Sequence, residues 1–116
     1  MNELFTMTAR DLACAIRDKR LGVEELTRAY MERIDQFDRG EGLNTVAELN
    51  SNAIVQARKM DSIKTSHYGA MFGLPVLIKD NIDVSGLHTT AGSLALMDNI
   101  AEKDAPIVAN LRRNGA

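Results

Sequence analysis

Residues 73–93 read GLPVLIKDNIDVSGLHTTAGS, and this stretch decides the prediction of the fold. Its apolar run over 74–78 follows a glycine and ends at Lys79, which is typical of a buried strand. Residues 82–84 predict a second short strand, and Ser85-Gly86 predicts a bend after it. Because a buried strand needs neighbouring strands to pair its backbone groups, the stretch predicts a sheet.

The residues before this stretch predict mainly helices. Thr8 and Asp11 have the spacing of a capping box, so a first helix is expected from there to a C-cap at Gly22. Residues 23–38 have apolar positions at helical spacing and predict a second helix. Asn50, Ser51 and Asn52 are N-cap candidates for a third helix over 53–60. Residues 43–49 predict a strand, because their middle is β-branched.

The C-terminal residues predict one more helix. Asp104 with Pro106 behind it marks the start of a helix, and Gly115 is its expected C-cap. The polar residues 61–69 predict a surface loop between the third helix and the 73–93 stretch.

Composition argues against several classes of function. The chain has 14 basic and 16 acidic residues and a net charge of −2, without a basic block, so we expect no nucleic-acid partner. The 4% aromatic content also disfavours single-strand binding by base stacking. No apolar run reaches membrane-spanning length and the N-terminus lacks the pattern of an export signal, so we expect a cytoplasmic protein without a membrane partner.

The cysteine and the histidines predict no special chemistry. The single cysteine, Cys14, allows no internal disulfide and is expected to be a small buried residue of the first helix. His67 and His88 have no ligand partners at metal-binding spacing, so we expect neither a metal nor a cofactor. His88 is expected to be a polar loop residue.

The 73–93 stretch resembles the segment around the catalytic lysine of the amidase signature family. There an apolar strand leads into Lys-Asp-Asn and, after a turn, into Thr-Thr-Ala-Gly-Ser, as in this chain. Glu-Glu-Leu, Glu-Arg-Ile-Asp and Leu-Asn upstream, and Lys103-Asp104-Ala105 downstream, are also similar to the family. The resemblance covers nearly the whole chain.

The resemblance implies an α/β fold, a large mixed β-sheet flanked by helices, incomplete in this chain. Residues 1–116 would be the N-terminal portion of a single amidase domain. Within it we expect helices over about 8–62, the catalytic-lysine strand and loop over about 73–93, and a helix over about 104–114.

The resemblance also implies amide hydrolysis by a Ser–cis-Ser–Lys triad, with Lys79 as the catalytic lysine. A serine hydroxyl is a poor nucleophile until a base takes its proton, and a lysine is a base only when it is neutral. The buried strand expected before Lys79 would favour the neutral amine. A carboxylate beside the lysine would keep it charged, but alternation along a strand lets Asp80 face away.

The remaining polar residues of the stretch predict structural roles. Thr89, Thr90 and Ser93 are expected to bond to backbone groups, and Gly92 to permit a conformation that other residues resist. No Gly-Ser-Ser-Gly run occurs in residues 1–116. We therefore expect an N-terminal fragment that ends before both serines and is inactive alone.

Three functions stay open from the sequence. The first is a fragment of an amidase acting on a small-molecule amide, and the second is the glutaminase subunit of a tRNA-dependent amidotransferase. The latter more often has Cys-Ala-Ser where this chain has Ala91-Gly92-Ser93, which favours the amidase. The third is a non-catalytic remnant that binds a partner through unpaired strand edges. The sequence predicts neither the substrate nor the oligomeric state.

Overall fold

The computed structural model describes residues 3–116, which form four α-helices and two short 3-10 helices. The α-helices are α1 (Ala9–Arg17), α2 (Val23–Asp38), α3 (Ala53–Asp61) and α4 (Pro106–Arg113), and the 3-10 helices are Glu3–Phe5 and Leu94–Leu96. Within these residues the extended pairing is limited to one antiparallel bridge, between His88 and Ile100. None of the helices in the described part of the chain is long and apolar enough to cross a bilayer.

Helix α1 begins at the predicted capping box but ends earlier than predicted. The Thr8 hydroxyl accepts the Asp11 N–H at 3.2 Å, and the Thr8 N–H donates to the Asp11 carboxylate at 3.4 Å. The helix ends at Arg17, where Lys19 has a left-handed φ of 58° and the Arg20 N–H donates to the Ala15 carbonyl. This is a Schellman motif with lysine in the position usually held by glycine. The prediction that Gly22 caps α1 was wrong for that reason.

Helix α2 has the predicted bounds, and its first amides are capped from a distance. Gly22 is the N-cap residue and has no side chain to offer. The carboxylate of Asp61, at the end of α3, accepts the Val23 N–H at 2.7 Å and the Glu24 N–H at 2.9 Å. A negative charge at a helix N-terminus is stabilising, so this contact joins α3 to α2.

An ion-pair cluster reinforces the contact between α2 and α3. Glu24 pairs with Arg28 of the same helix at 2.7 Å and with Arg58 of α3 at 2.9 Å. The hydrogen bonds from Arg58 and then Arg28 lower the pKa of Glu24 to about 2. The carboxylate is therefore ionised over the whole physiological pH range.

The core lies between α1, α2, α3 and the start of the 73–93 stretch. Its buried members are Leu12, Ala13, Ala15, Ile16, Leu21, Val23, Leu26, Ala57, Phe72 and Leu74. Cys14 is exposed, so the prediction that it is buried was wrong. With 3.6 residues per turn, Cys14 points away from Leu12 and Ile16, which face the core.

The strand predicted over 43–49 was wrong, because a side chain takes the backbone donors that a strand would use. The Asp38 carboxylate accepts the Thr45 N–H at 2.6 Å and the Val46 N–H at 3.0 Å. The Thr45 hydroxyl also donates to it, and this bond is the largest cause of the lowered pKa of Asp38. Residues 43–49 therefore form an ordered connector between α2 and α3.

The strands predicted over 73–79 and 82–84 are also not formed in residues 3–116. The Gly73 N–H donates to the Gly115 carbonyl at 2.8 Å, and the Ile82 N–H closes a turn onto the Lys79 carbonyl at 2.9 Å. A strand requires a partner, and no segment of the described chain lies alongside to provide one. The mixed sheet predicted for the fold is thus not confirmed by these residues.

Helix α4 returns the chain to the start of the 73–93 stretch. It begins at Pro106 and ends before Asn114 and Gly115, close to the prediction. The Met71 N–H donates to the Asn114 carbonyl at 3.0 Å, and Gly73 pairs with Gly115 as described above. The end of α4 therefore fixes the point at which the segment leading to Lys79 leaves the core.

Candidate functional site

Lys79 lies at the solvent-exposed end of the segment that leaves the core at Leu74. Leu74 is buried, but Val76 is 40% exposed and Leu77 is 68% exposed. The Lys79 side chain is exposed as well. The prediction of a buried strand before Lys79 was therefore wrong for the described residues, although the segment is apolar as that prediction requires.

Asp80 is turned towards Thr90 rather than towards the neighbouring lysine. Its carboxylate accepts the Thr90 N–H at 2.9 Å and also the Thr90 hydroxyl. These two bonds, with the hydroxyl the larger cause, hold the pKa of Asp80 below its ordinary value of 3.8. In residues 3–116 no ion pair joins Asp80 to Lys79. The ammonium of Lys79 thus has no carboxylate fixed against it within the described chain.

The loop after Thr90 is folded back onto Asp80. The Ala91 N–H donates to the Asp80 carbonyl at 2.9 Å, and the Gly92 N–H donates to the Thr90 hydroxyl at 3.2 Å. Gly92 has a left-handed φ of +71°, which favours glycine. The structural roles predicted for Thr90 and Gly92 are confirmed by these contacts.

The prediction was wrong for Thr89 and only partly met by Ser93. The Thr89 hydroxyl oxygen is buried and has no hydrogen-bond partner among residues 3–116. The Ser93 N–H donates to the Thr90 carbonyl at 2.9 Å, so the backbone of Ser93, rather than its hydroxyl, takes part in the loop.

A short antiparallel pairing orders the other side of the loop. The Gly86 N–H donates to the Ala101 carbonyl at 2.8 Å, and the Ala101 N–H donates to the Leu87 carbonyl at 3.0 Å. The Thr89 N–H then donates to the Asn99 carbonyl at 2.9 Å. These bonds surround the His88–Ile100 bridge and hold residues 86–89 in place.

Asp104 ties the same loop to α4. Its carboxylate accepts the Ser85 N–H at 2.8 Å and pairs with the Arg112 guanidinium at 2.7 Å. The residue that the sequence marks as a helix start therefore joins the helix to the loop, and Ala105 is the N-cap.

Glu48 is the residue of this site that sequence reasoning missed. Its carboxylate accepts the His88 N–H at 2.8 Å, and both of its oxygens lie 3.1 Å from His88 Nδ1. The N–H of His88 is the largest cause that lowers the pKa of Glu48 below 4.5. Forty residues separate the partners, so no local pattern signals the contact. His88 is therefore a tertiary contact as well as a loop residue.

The site offers an exposed primary amine on an ordered loop, and such an amine can accept a proton when it is neutral. Within residues 3–116 no hydrogen bond joins the Lys79 amine to a serine; the serine hydroxyls that form hydrogen bonds are those of Ser62, Ser66 and Ser85. In the same described residues, no three His, Cys, Asp or Glu side chains lie close enough together to hold a metal ion.

The chain matches the model of one protein family, Amidase, over residues 25–116. It is 37% identical to a probable amidase of Arabidopsis thaliana over 114 residues, which cover 94% of this chain and 22% of that protein. It is 35% identical to a glutamyl-tRNA(Gln) amidotransferase subunit of Exiguobacterium sibiricum over 113 residues, which cover 97% of this chain and 23% of that protein.

A solved structure has the same fold over the matched residues. The crystal structure of PAM12A superposes with a TM-score of 0.86 at 37% identity and covers 95% of this chain. The match covers 23% of the PAM12A chain. The chain thus spans less than a quarter of the length of each of these relatives.

Proposed function

This chain belongs to the Amidase family, and we propose that the protein containing it hydrolyses a small carboxamide by a Ser–cis-Ser–Lys mechanism. The observation that carries the proposal is the 73–93 stretch, in which Lys79 follows an apolar segment and precedes a loop tied back onto Asp80. Lys79 is assigned the role of the base, and no cofactor is assigned.

The mechanism asks Lys79 to take a proton from a relay serine, which takes one from the nucleophilic serine. The lysine can do this only as the neutral amine, and exclusion of water favours that form. The fixed position of Asp80 supports the role, because its carboxylate is engaged by Thr90 and, among the described residues, forms no ion pair with Lys79.

We further propose that residues 1–116 are the N-terminal portion of a single amidase domain. The exposed apolar side chains of Val76 and Leu77 support this, because a sheet formed with further residues would cover them. Covering them would also exclude water from Lys79. The cytoplasmic location expected from the sequence remains a prediction.

Residues 1–116 alone are proposed to be inactive. The support is the absence, within the described residues, of a serine hydrogen-bonded to Lys79, together with the lack of a Gly-Ser-Ser-Gly run in the sequence. Without a nucleophile and an oxyanion hole, a lysine provides neither covalent attack nor stabilisation of the transition state.

The test is ammonia release from a panel of simple carboxamides by the complete protein that contains this chain. Lys79→Ala is expected to lower kcat by at least about 100-fold, the usual contribution of general base catalysis. Lys64→Ala is the matched control, because Lys64 is an exposed lysine of the 61–69 loop. Unchanged turnover in Lys79→Ala would refute the assigned role.

A second candidate is the glutaminase component of an amidotransferase, favoured by the similarity to the glutamyl-tRNA(Gln) amidotransferase of Exiguobacterium sibiricum. Ala91-Gly92-Ser93 in place of Cys-Ala-Ser favours the amidase. The two functions differ in substrate: the second predicts ammonia release from glutamine that depends on partner proteins and charged tRNA. Turnover of simple carboxamides by the protein alone supports the first.

A further inference from the structure

The loop beyond Lys79 has one polar attachment to the helical part of the chain. Of the hydrogen bonds and ion pairs within residues 3–116, those that join residues 3–75 to residues 76–105 are all between Glu48 and His88. The other polar bonds of residues 76–105 stay within that segment or, through Asp104 and Ala105, lead to α4. Glu48 is therefore placed to set how the loop sits against the helices.

Glu48 acts from a rigid base. The connector that carries it is held to the end of α2 by the bonds of Asp38 to Thr45 and Val46. The Arg39 guanidinium adds a bond to the Val46 carbonyl at 3.0 Å. A carboxylate on such a connector transmits the position of α2 to its partner, because the backbone that precedes it is already fixed.

A continuous series of bonds leads from Glu48 to the lysine. His88 is two residues before Thr90, and Thr90 binds the Asp80 carboxylate through its amide and its hydroxyl. Asp80 is the neighbour of Lys79 in the chain, and the Lys79 carbonyl accepts the Ile82 N–H in the turn that follows. A displacement of His88 would therefore be passed to the backbone at Lys79.

We infer that Glu48 is a positioning residue for Lys79, which it holds in place by binding the amide and the ring of His88. The inference rests on the proposed function, in which Lys79 is the base. Both carboxylate oxygens are used, so glutamine can replace the bond to the His88 amide but not the charge, and alanine replaces neither. Misplacement of a reacting group by about 1 Å can cost about 100-fold in rate.

The kinetic test is made in the complete protein that contains this chain. Glu48→Ala is expected to lower kcat by about 10- to 100-fold with KM changed less than about twofold, because the loop positions the base. Glu48→Gln should recover part of the loss. Glu41→Gln, which removes an exposed carboxylate between α2 and the connector, is expected to leave kcat unchanged.

Glu24→Gln separates positioning from loss of stability. It removes the carboxylate that pairs with Arg28 and Arg58 in the helical part, away from the loop. If Glu24→Gln lowers kcat as much as Glu48→Ala at an equal loss of thermal stability, Glu48 has only a structural role and the inference is wrong. Wild-type kcat in Glu48→Ala would also overturn it.

Hydrogen–deuterium exchange tests the contact without relying on activity. Peptides covering residues 86–93 should exchange faster in Glu48→Ala, whereas peptides from α2 should not change. Faster exchange in this loop together with an active Lys79→Ala variant would mean that the proposed function is wrong while the contact is real. Unchanged exchange at residues 86–93 would show that Glu48 does not hold the loop.

Discussion

Gly73 is the position at which the segment leading to Lys79 leaves the core, and its replacement by alanine is a sharp test of the packing. Gly73 has a left-handed φ of +77°. A Cβ added there would lie 2.7 Å from Val23 Cγ2 and 3.2 Å from Ile16 Cδ1. Both neighbours are 2% exposed and packed within the core, so neither can move aside freely.

The cost of Gly73→Ala has two parts. The left-handed conformation costs an L-residue about 1–2 kcal/mol. The close contacts with Val23 and Ile16 add the cost of overpacking, about 1–3 kcal/mol. The free energy of unfolding should therefore fall by about 2–5 kcal/mol.

Gly92→Ala is the matched control for this prediction. Gly92 has a similar φ of +71°, but a Cβ there would meet nothing within 4 Å, so only the conformational cost of about 1–2 kcal/mol applies. Urea denaturation followed by far-UV circular dichroism measures both variants against the wild type. Equal losses in the two variants would refute the reasoning, because they would show that Gly73 is not closely packed against Val23 and Ile16.

Two further predictions concern titration and reactivity. The folded-state pKa of Glu24 is about 2 against an ordinary 4.5, so its stabilisation is complete above pH 4.5 and is lost as the pH falls towards 2. The difference in melting temperature between the wild type and Glu24→Gln should accordingly narrow over that range, and a constant difference would contradict the ion-pair cluster. Cys14 is exposed, so iodoacetamide should alkylate it in native buffer, as measured by intact mass. A requirement for denaturant would show that Cys14 is buried.

Elements governed by neighbours in the chain could be predicted from the sequence. The Thr8–Asp11 capping box and α2 over Val23–Asp38 were confirmed, because both depend on spacing within a few residues. The exposure of Cys14 was also accessible from helical spacing, and the contrary prediction followed the apolar character of its neighbours instead. The end of α1 was missed because Lys19, rather than a glycine, has the left-handed conformation.

The candidate site was only partly accessible in this way. Lys79 and the loop residues Thr90 and Gly92 could be selected from the 73–93 stretch. The contact of Glu48 with His88 could not, because its partners lie 40 residues apart and neither belongs to a local motif. The same holds for Asp61, which caps α2 from the end of α3.

The sequence by itself determined the positions of the helices, the lysine and the family resemblance, because capping, helical periodicity and the 73–93 stretch are properties of short segments. The tertiary structure alone decided where the backbone donors of the expected strands go: those of Thr45 and Val46 bind Asp38, and that of Gly73 binds Gly115. Strand formation depends on which groups compete for each N–H in space. That competition includes partners distant in the chain, so a local pattern cannot settle it.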